Sequence, residues 1–200
     1  MKKLYLILLF CLACPVMLLA QGFDYDEKEP LLNDLYKVRS GKAYGIVDGE
    51  DNVVVSIEYQ NLLFREGLAL MTKEDVLWGV VDLKGNVTEL NGEYKVHPVY
   101  RYVYEGYIPV AHVDKWAFAQ KWGYIDLFGR PYRVSDKIKG VVSAGKNYPS
   151  LFDEVTPVVE GIACVYLARS GWKHVDMVGY ERFRLPSMSL FRTSLYDGEC

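Results

Sequence analysis

Lys121-Trp122-Gly123-Tyr124-Ile125-Asp126-Leu127-Phe128-Gly129 decides the fold, because its pattern returns three more times in the chain. The other copies are Tyr44-Gly45-Ile46-Val47-Asp48, Trp78-Gly79-Val80-Val81-Asp82 and Trp172-Lys173-His174-Val175-Asp176. In each, an aromatic residue stands four positions before an aspartate, and a β-branched residue directly precedes that aspartate. Three copies place glycine three residues past the aspartate, at Gly85, Gly129 and Gly179; the first departs, running Asp48-Gly49-Glu50-Asp51-Asn52. Self-similarity of this kind marks a repeat architecture and takes precedence over any strand-by-strand assignment.

An upstream element recurs too. Glu66-Gly67-Leu68-Ala69-Leu70, Glu105-Gly106-Tyr107-Ile108-Pro109-Val110 and Glu160-Gly161-Ile162-Ala163-Cys164-Val165 each open a short alternating run. Alternation of apolar and polar residues, rich in Val, Ile and Tyr, predicts half-buried strands. Asp-x-x-Gly is a type I turn signal, since Asp bonds its own downstream backbone and Gly accepts positive φ. The aromatic residue is expected to anchor the core, and the glycine after it to permit a bulge or a close backbone approach. Each unit then reads as a meander: a Glu-Gly-led strand, a Trp-Gly strand, a turn, and a third strand such as Val53 to Tyr59. No long amphipathic helix fits after residue 21. The fold class is therefore all-β: tandem short antiparallel meanders stacked in an open β-repeat array. Turn aspartates 34, 44 and 50 residues apart, with degenerate ends, favour the open array over the alternative of propeller-like closure.

These residues resemble the WG-repeat family, bacterial proteins with tandem motifs of the form Glu-Gly-x-Ala-x-Val followed by Lys-Trp-Gly-x-Ile-Asp-x-x-Gly. Lys121 to Gly129 is close to that pattern and Glu66 to Gly85 is the next best match. The resemblance covers residues 35 to 180; Tyr44 replaces the first tryptophan and Lys173 the last glycine. It implies a non-catalytic interaction module without a cofactor.

The first twenty residues read as an export signal. Lys2 and Lys3 precede an apolar run from Leu4 to Leu19, and Ala20 precedes the expected cleavage point. The acidic residues Asp24, Asp26, Glu27 and Glu29 follow in place of a basic stop-transfer cluster, so no stable membrane span is expected after cleavage. Cys11-Leu12-Ala13-Cys14 resembles a lipobox, but the apolar run continues past it, which favours ordinary cleavage. Residues 21–34 are expected to form a mobile acidic leader, 35–180 about four repeat units, and 181–200 a cap or tail. The destination is the periplasm, the outer envelope or the extracellular space. Without Lys2 and Lys3 the chain has 21 basic against 26 acidic residues, a net charge near −5. That excludes the basic stripe a nucleic-acid binder needs. Cys164, in an apolar strand-like run, reads as a small buried hydrophobe; its pairing with Cys200 is left open.

Chemistry-bearing residues are few. Of His97, His112 and His174, two lie in His-Val-Asp triplets, but these occupy different frames of the repeat and lack a third ligand nearby, so no metal site is expected. There is no Gly-x-Ser-x-Gly elbow and no glycine-rich phosphate loop, and no enzyme is expected. Segment Asp114 to Gln120 reads as an extended loop and Lys137 to Ser150 as an inserted one. Tyr100, Tyr102, Tyr104 and Tyr107 are the candidate binding surface: on a strand the first three would share one face, either as core or as an exposed aromatic ladder. The expected function is an exported scaffold for a protein partner; the alternative is a carbohydrate-binding module using the tyrosine ladder.

Overall fold

The computed structural model describes residues 24–113, 121–135, 138, 141–143 and 148–183. The signal segment, Cys11, Cys14, Cys200 and the loop Asp114 to Gln120 lie outside them. The described residues form sixteen strands and no helix, so no helix there is long and apolar enough to cross a membrane.

Unit 1 comprises β1 (Glu27–Pro30), β2 (Leu35–Ser40), β3 (Ala43–Asp48) and β4 (Val53–Tyr59), paired in that order and antiparallel. Unit 2 comprises β5 (Phe64–Arg65), β6 (Leu68–Lys73), β7 (Val76–Asp82) and β8 (Val87–Val96). Its sheet continues into β9 (Tyr107–His112) and β10 (Gly123–Asp126) of unit 3, giving the order β10-β9-β8-β7-β6-β5. Two short strands, β11 (Val142–Ser143) and β12 (Ser150–Leu151), follow as a separate ladder. Unit 4 comprises β13 (Glu154–Val155), β14 (Ile162–Leu167), β15 (Gly171–Asp176) and β16 (Glu181–Phe183). The all-β repeat array is the architecture of the chain.

Among the described residues, three apolar cores lie between successive units. Leu35, Ile46 and Val55 of unit 1 pack with Ala69, Met71 and Val81 of unit 2. Leu70, Leu77 and Val80 of unit 2 pack with Ile108, Val110 and Ile125 of unit 3. Tyr124 and Tyr132 of unit 3 pack with Val165, Leu167 and Val175 of unit 4. Neighbouring positions on one strand thus serve two different cores, as side-chain alternation requires: Val80 faces unit 3 and Val81 faces unit 1. Central strands are consequently buried on both faces, from Ala69 to Thr72 on β6 and from Gly79 to Val81 on β7, where alternation had predicted half-buried strands. No core joins unit 1 to unit 4 among the described residues, so the array stays open.

Two segments differ from their sequence reading. The acidic leader supplies β1, whose four residues all pair with β2. Its charges are matched rather than free: Arg39 binds Glu27 at 2.7 Å, Lys37 pairs with Glu29, and Lys28 binds Asp51 at 2.6 Å. The inserted loop Lys137 to Ser150 contains a ladder, with Val142 opposite Leu151 and Ser143 opposite Ser150. Cys164 is buried on β14 and disulfide-bonded.

Candidate functional site

The four motif aspartates build one turn four times. One carboxylate oxygen accepts two backbone N–H groups, from residues two and four positions on: Glu50 and Asn52 for Asp48, Lys84 and Asn86 for Asp82, Phe128 and Arg130 for Asp126, Val178 and Tyr180 for Asp176. The second oxygen takes a side chain: the amide of Asn52 or Asn86, or the guanidinium of Arg130 or Arg182. These donors stabilise the ionised form. The Asn52 side chain leads in holding the Asp48 carboxyl below its ordinary value. Burial pushes Asp82 and Asp176 the other way, but the donors of Asn86 and Lys84, and of Tyr180, Arg182 and Val178, outweigh it and lower both.

The glycine closing the turn does two things. It adopts positive φ, and it lets the turn sit against the preceding unit. A Cβ on Gly85 would stand 3.0 Å from Leu35 Cδ1 and Val54 Cγ1; on Gly129, 2.9 Å from Leu90 Cδ2; on Gly179, 2.6 Å from the Arg133 carbonyl oxygen. The first turn puts Asp51 there, at φ 63°.

The Trp-Gly pair is a device for the third strand. A Cβ on Gly45 would come within 2.7 Å of the Val55 carbonyl oxygen, on Gly79 within 2.9 Å of that of Thr88, and on Gly123 within 2.7 Å of that of Ser150. Opposite this glycine the third strand bulges: pairing jumps from Val55 to Tyr59 across Ile46 and Tyr44, and from Glu89 to Tyr94 across Gly79 and Leu77. In unit 3 the same gap holds the whole insertion, since Pro131 pairs with Ile125 and Phe152 with Trp122. In unit 2 the aromatic residue covers the bulge from outside and does not fill the core. Trp78 is 41% exposed and lies over Gly92, where a Cβ would meet its ring at 3.0 Å. Tyr44, Trp122 and Trp172 are half-buried. The expectation of a core anchor is corrected for Trp78; Tyr44 and Trp122 are packed against their cores from the side, and the residues that fill the centres of the cores in the first three units are the two between the motif glycine and the aspartate.

Residues 44–76 match the family model described as the WG containing repeat. The chain therefore carries a WG-containing repeat over that stretch. No curated protein matches it.

The Glu-Gly dipeptides of the WG repeats are themselves hairpin turns. Glu66, Glu105 and Glu160 have φ of 52°, 50° and 51°, each followed by glycine at positive φ, as a two-residue type I′ turn requires. The x-Gly signal was present in the sequence, but the pairs were read there as strand openings. One of these turns also receives a neighbour: both Glu105 carboxylate oxygens accept N–H bonds, from Glu160 at 2.6 Å and Gly161 at 2.7 Å.

Unit 4 departs from the repeat at Lys173, which is buried in place of glycine with its ammonium 3.0 Å from Glu181. His174 occupies the slot from which Ile46, Val80 and Tyr124 reach into the next unit's core. Its place next to Val175 and Asp176 follows from that frame, and Asp176 is committed to its own turn. His112 lies elsewhere, between the rings of Tyr94 and Tyr148. His97 is buried beside Trp122 and Tyr100, with Nε2 3.0 Å from Glu154 and Nδ1 accepting the N–H groups of Val99 and Tyr100. Accepting at Nδ1 places the proton of the neutral ring on Nε2, facing the carboxylate. The three histidines do not converge, and His97, which the sequence did not single out, is the one that ties unit 2 to unit 4.

The tyrosine cluster is not a ladder. Residues 98–103 form no strand, Tyr104 is buried, and Tyr100, Tyr102 and Tyr107 pack half-buried against the core shared by units 3 and 4. Tyr100 and Tyr102 meet Tyr104 edge-to-face, at 85° and 88°, so the rings offer no common flat face. Arg65 stacks over Tyr104 and Tyr102, at 4.8 and 5.5 Å, closing the cluster from unit 2. Burial raises the Tyr104 phenol pKa, and nearby Arg65 opposes the rise.

Proposed function

We propose that this WG-repeat protein is an exported, non-catalytic scaffold that mediates protein–protein interaction in the cell envelope or outside the cell. The observation that carries the reading is how the motif residues are used. All four aspartates bond their own turns, and the turn and strand glycines admit neighbouring backbone or side chains. The repeated residues therefore hold the array together, and what differs from unit to unit is left on its surface for recognition. Export is supported by Lys2, Lys3 and the apolar run after them. The half-buried, edge-to-face tyrosines give the carbohydrate alternative no flat platform, and it is not carried further.

Titrating the immobilised protein with envelope extract tests the reading. Saturable retention of a defined protein, competed by the free chain, is the expected result. Retention that never saturates, or none, would overturn it.

A further inference from the structure

We infer that Cys164 is bonded to Cys200, and that residues 184–200 are thereby drawn over the outward face of unit 4 as a cap. One step rests on the export reading: cleavage of the signal removes Cys11 and Cys14.

Each of the first three units offers one face to the unit that follows. In unit 2 that face includes Leu68, Leu70 and Val80, which pack under unit 3. Counted from the Glu-Gly turn and from the motif aspartate, the same positions in unit 4 are Ile162, Cys164 and His174. Register puts Cys164 opposite His174 and Tyr166 opposite Trp172. Alternation turns these four, with Ile162, away from Ala163, Val165 and Val175, which fill the core shared with unit 3. The Tyr166 and Trp172 rings meet on this face at 5.3 Å. None of the three cores includes any of the five residues.

The disulfide names the occupant. Cys164 is 5% exposed and disulfide-bonded. The sequence has four cysteines, at 11, 14, 164 and 200. With the signal gone, Cys200 is the one left to hold Cys164.

The chain can reach. β16 pairs with β15, and β15 with β14, so the segment after Phe183 sets out two strands from Cys164, a distance of about 10 Å. Residues 184–200 extend to about 55 Å at ~3.3 Å per residue. They are also suited to an apolar face: Leu190, Phe191, Leu195 and Tyr196 approach Cys200 in sequence and can bury surface of Ile162, Tyr166 and Trp172. The cap closes the side of unit 4 on which a further unit, or a second copy of the chain, would stack.

The intact exported protein is digested without reduction and mapped by mass spectrometry, and its N-terminal residue is read from the same sample. A peptide joining Cys164 to Cys200 in a monomer that starts at Gln21 is the expected result. A cleaved chain with both thiols free, or with Cys200 linking two copies, would overturn the inference and leave export intact. Cys164 joined to Cys11 or Cys14 in an uncleaved chain would overturn the export reading as well. Hydroxyl-radical labelling then reads the cap. Labelling of Tyr166 and Trp172 is expected to rise several-fold in Cys200→Ser and in Cys164→Val, while Trp78, already 41% exposed, stays unchanged. Equal labelling of Tyr166 and Trp172 in wild type and both variants would overturn the cap even with the bond in place.

Discussion

The first Asp turn and the three that follow have the same hydrogen bonds but different fourth residues. In every copy the aspartate N–H donates to the carbonyl four residues on, and the fourth residue's N–H donates back to the aspartate carbonyl. Yet Asp51 stands where Gly85, Gly129 and Gly179 stand, at comparably positive φ. Left-handed backbone alone therefore does not demand glycine here; a polar residue with a short side chain can adopt it. What demands glycine is the preceding unit, whose side chains or backbone occupy the space a Cβ would take. In unit 1 the turn residue instead holds Lys28 of the edge strand.

Gly179→Ala should break this comparison most severely. It combines φ 101° with a Cβ 2.6 Å from the Arg133 carbonyl. A loss of about 3 kcal/mol is expected from left-handed strain plus overpacking, read as a lowered midpoint in thermal or urea unfolding. Acid should loosen first and later turns alike. The folded-state pKa values of Asp48, Asp82 and Asp176 are lowered, so their stabilisation is complete above the unfolded carboxylate value and is lost as pH falls through the folded ones. The unfolding midpoint should hold from pH 7 to about 5 and drop below about 4. Asp82→Asn should flatten that drop, and an unchanged acid profile in the variant would remove the turn from the explanation.

Gly106→Ala separates strain from docking. Gly106 has φ 82°, but a Cβ there would meet nothing within 4 Å. A cost of only about 1 kcal/mol is expected; a cost equal to that of Gly179→Ala would mean that backbone strain, and not the neighbouring unit, explains the glycines. Asp51→Gly should have the smallest effect. It relieves a left-handed aspartate and forfeits an exposed ion pair with Lys28, and these opposing terms leave stability within about 0.5 kcal/mol of wild type. A loss well beyond that would assign Asp51 a part in the fold that its contacts do not show.

Much of this was legible in the chain itself. The four turns, the third strand Val53 to Tyr59 and the close approach at the motif glycines follow from residue types at fixed spacing, because turn chemistry is local. The placement of the tryptophans was not. Trp78 covers a bulge whose existence depends on how Glu89 to Tyr94 pairs with Gly79 and Leu77, across a register jump that no periodicity encodes. The tyrosines misled for a related reason: three at alternate positions predict a common strand face, but residues 98–103 cross between units instead of pairing. His97 gave no signal, since its partner Glu154 lies 57 residues away.

By itself the sequence determined an all-β repeat protein, the number of its units, and the local chemistry that turns each meander. These are near-neighbour properties, set by side chains bonding to backbone a few residues away. Tertiary structure alone decided that the cores lie between units, so that Val80 and Val81 serve different neighbours. It also decided that His97 meets Glu154 of unit 4. Both depend on which unit stacks on which, and stacking is fixed by the volume each unit leaves for the next, a quantity that no single repeat contains.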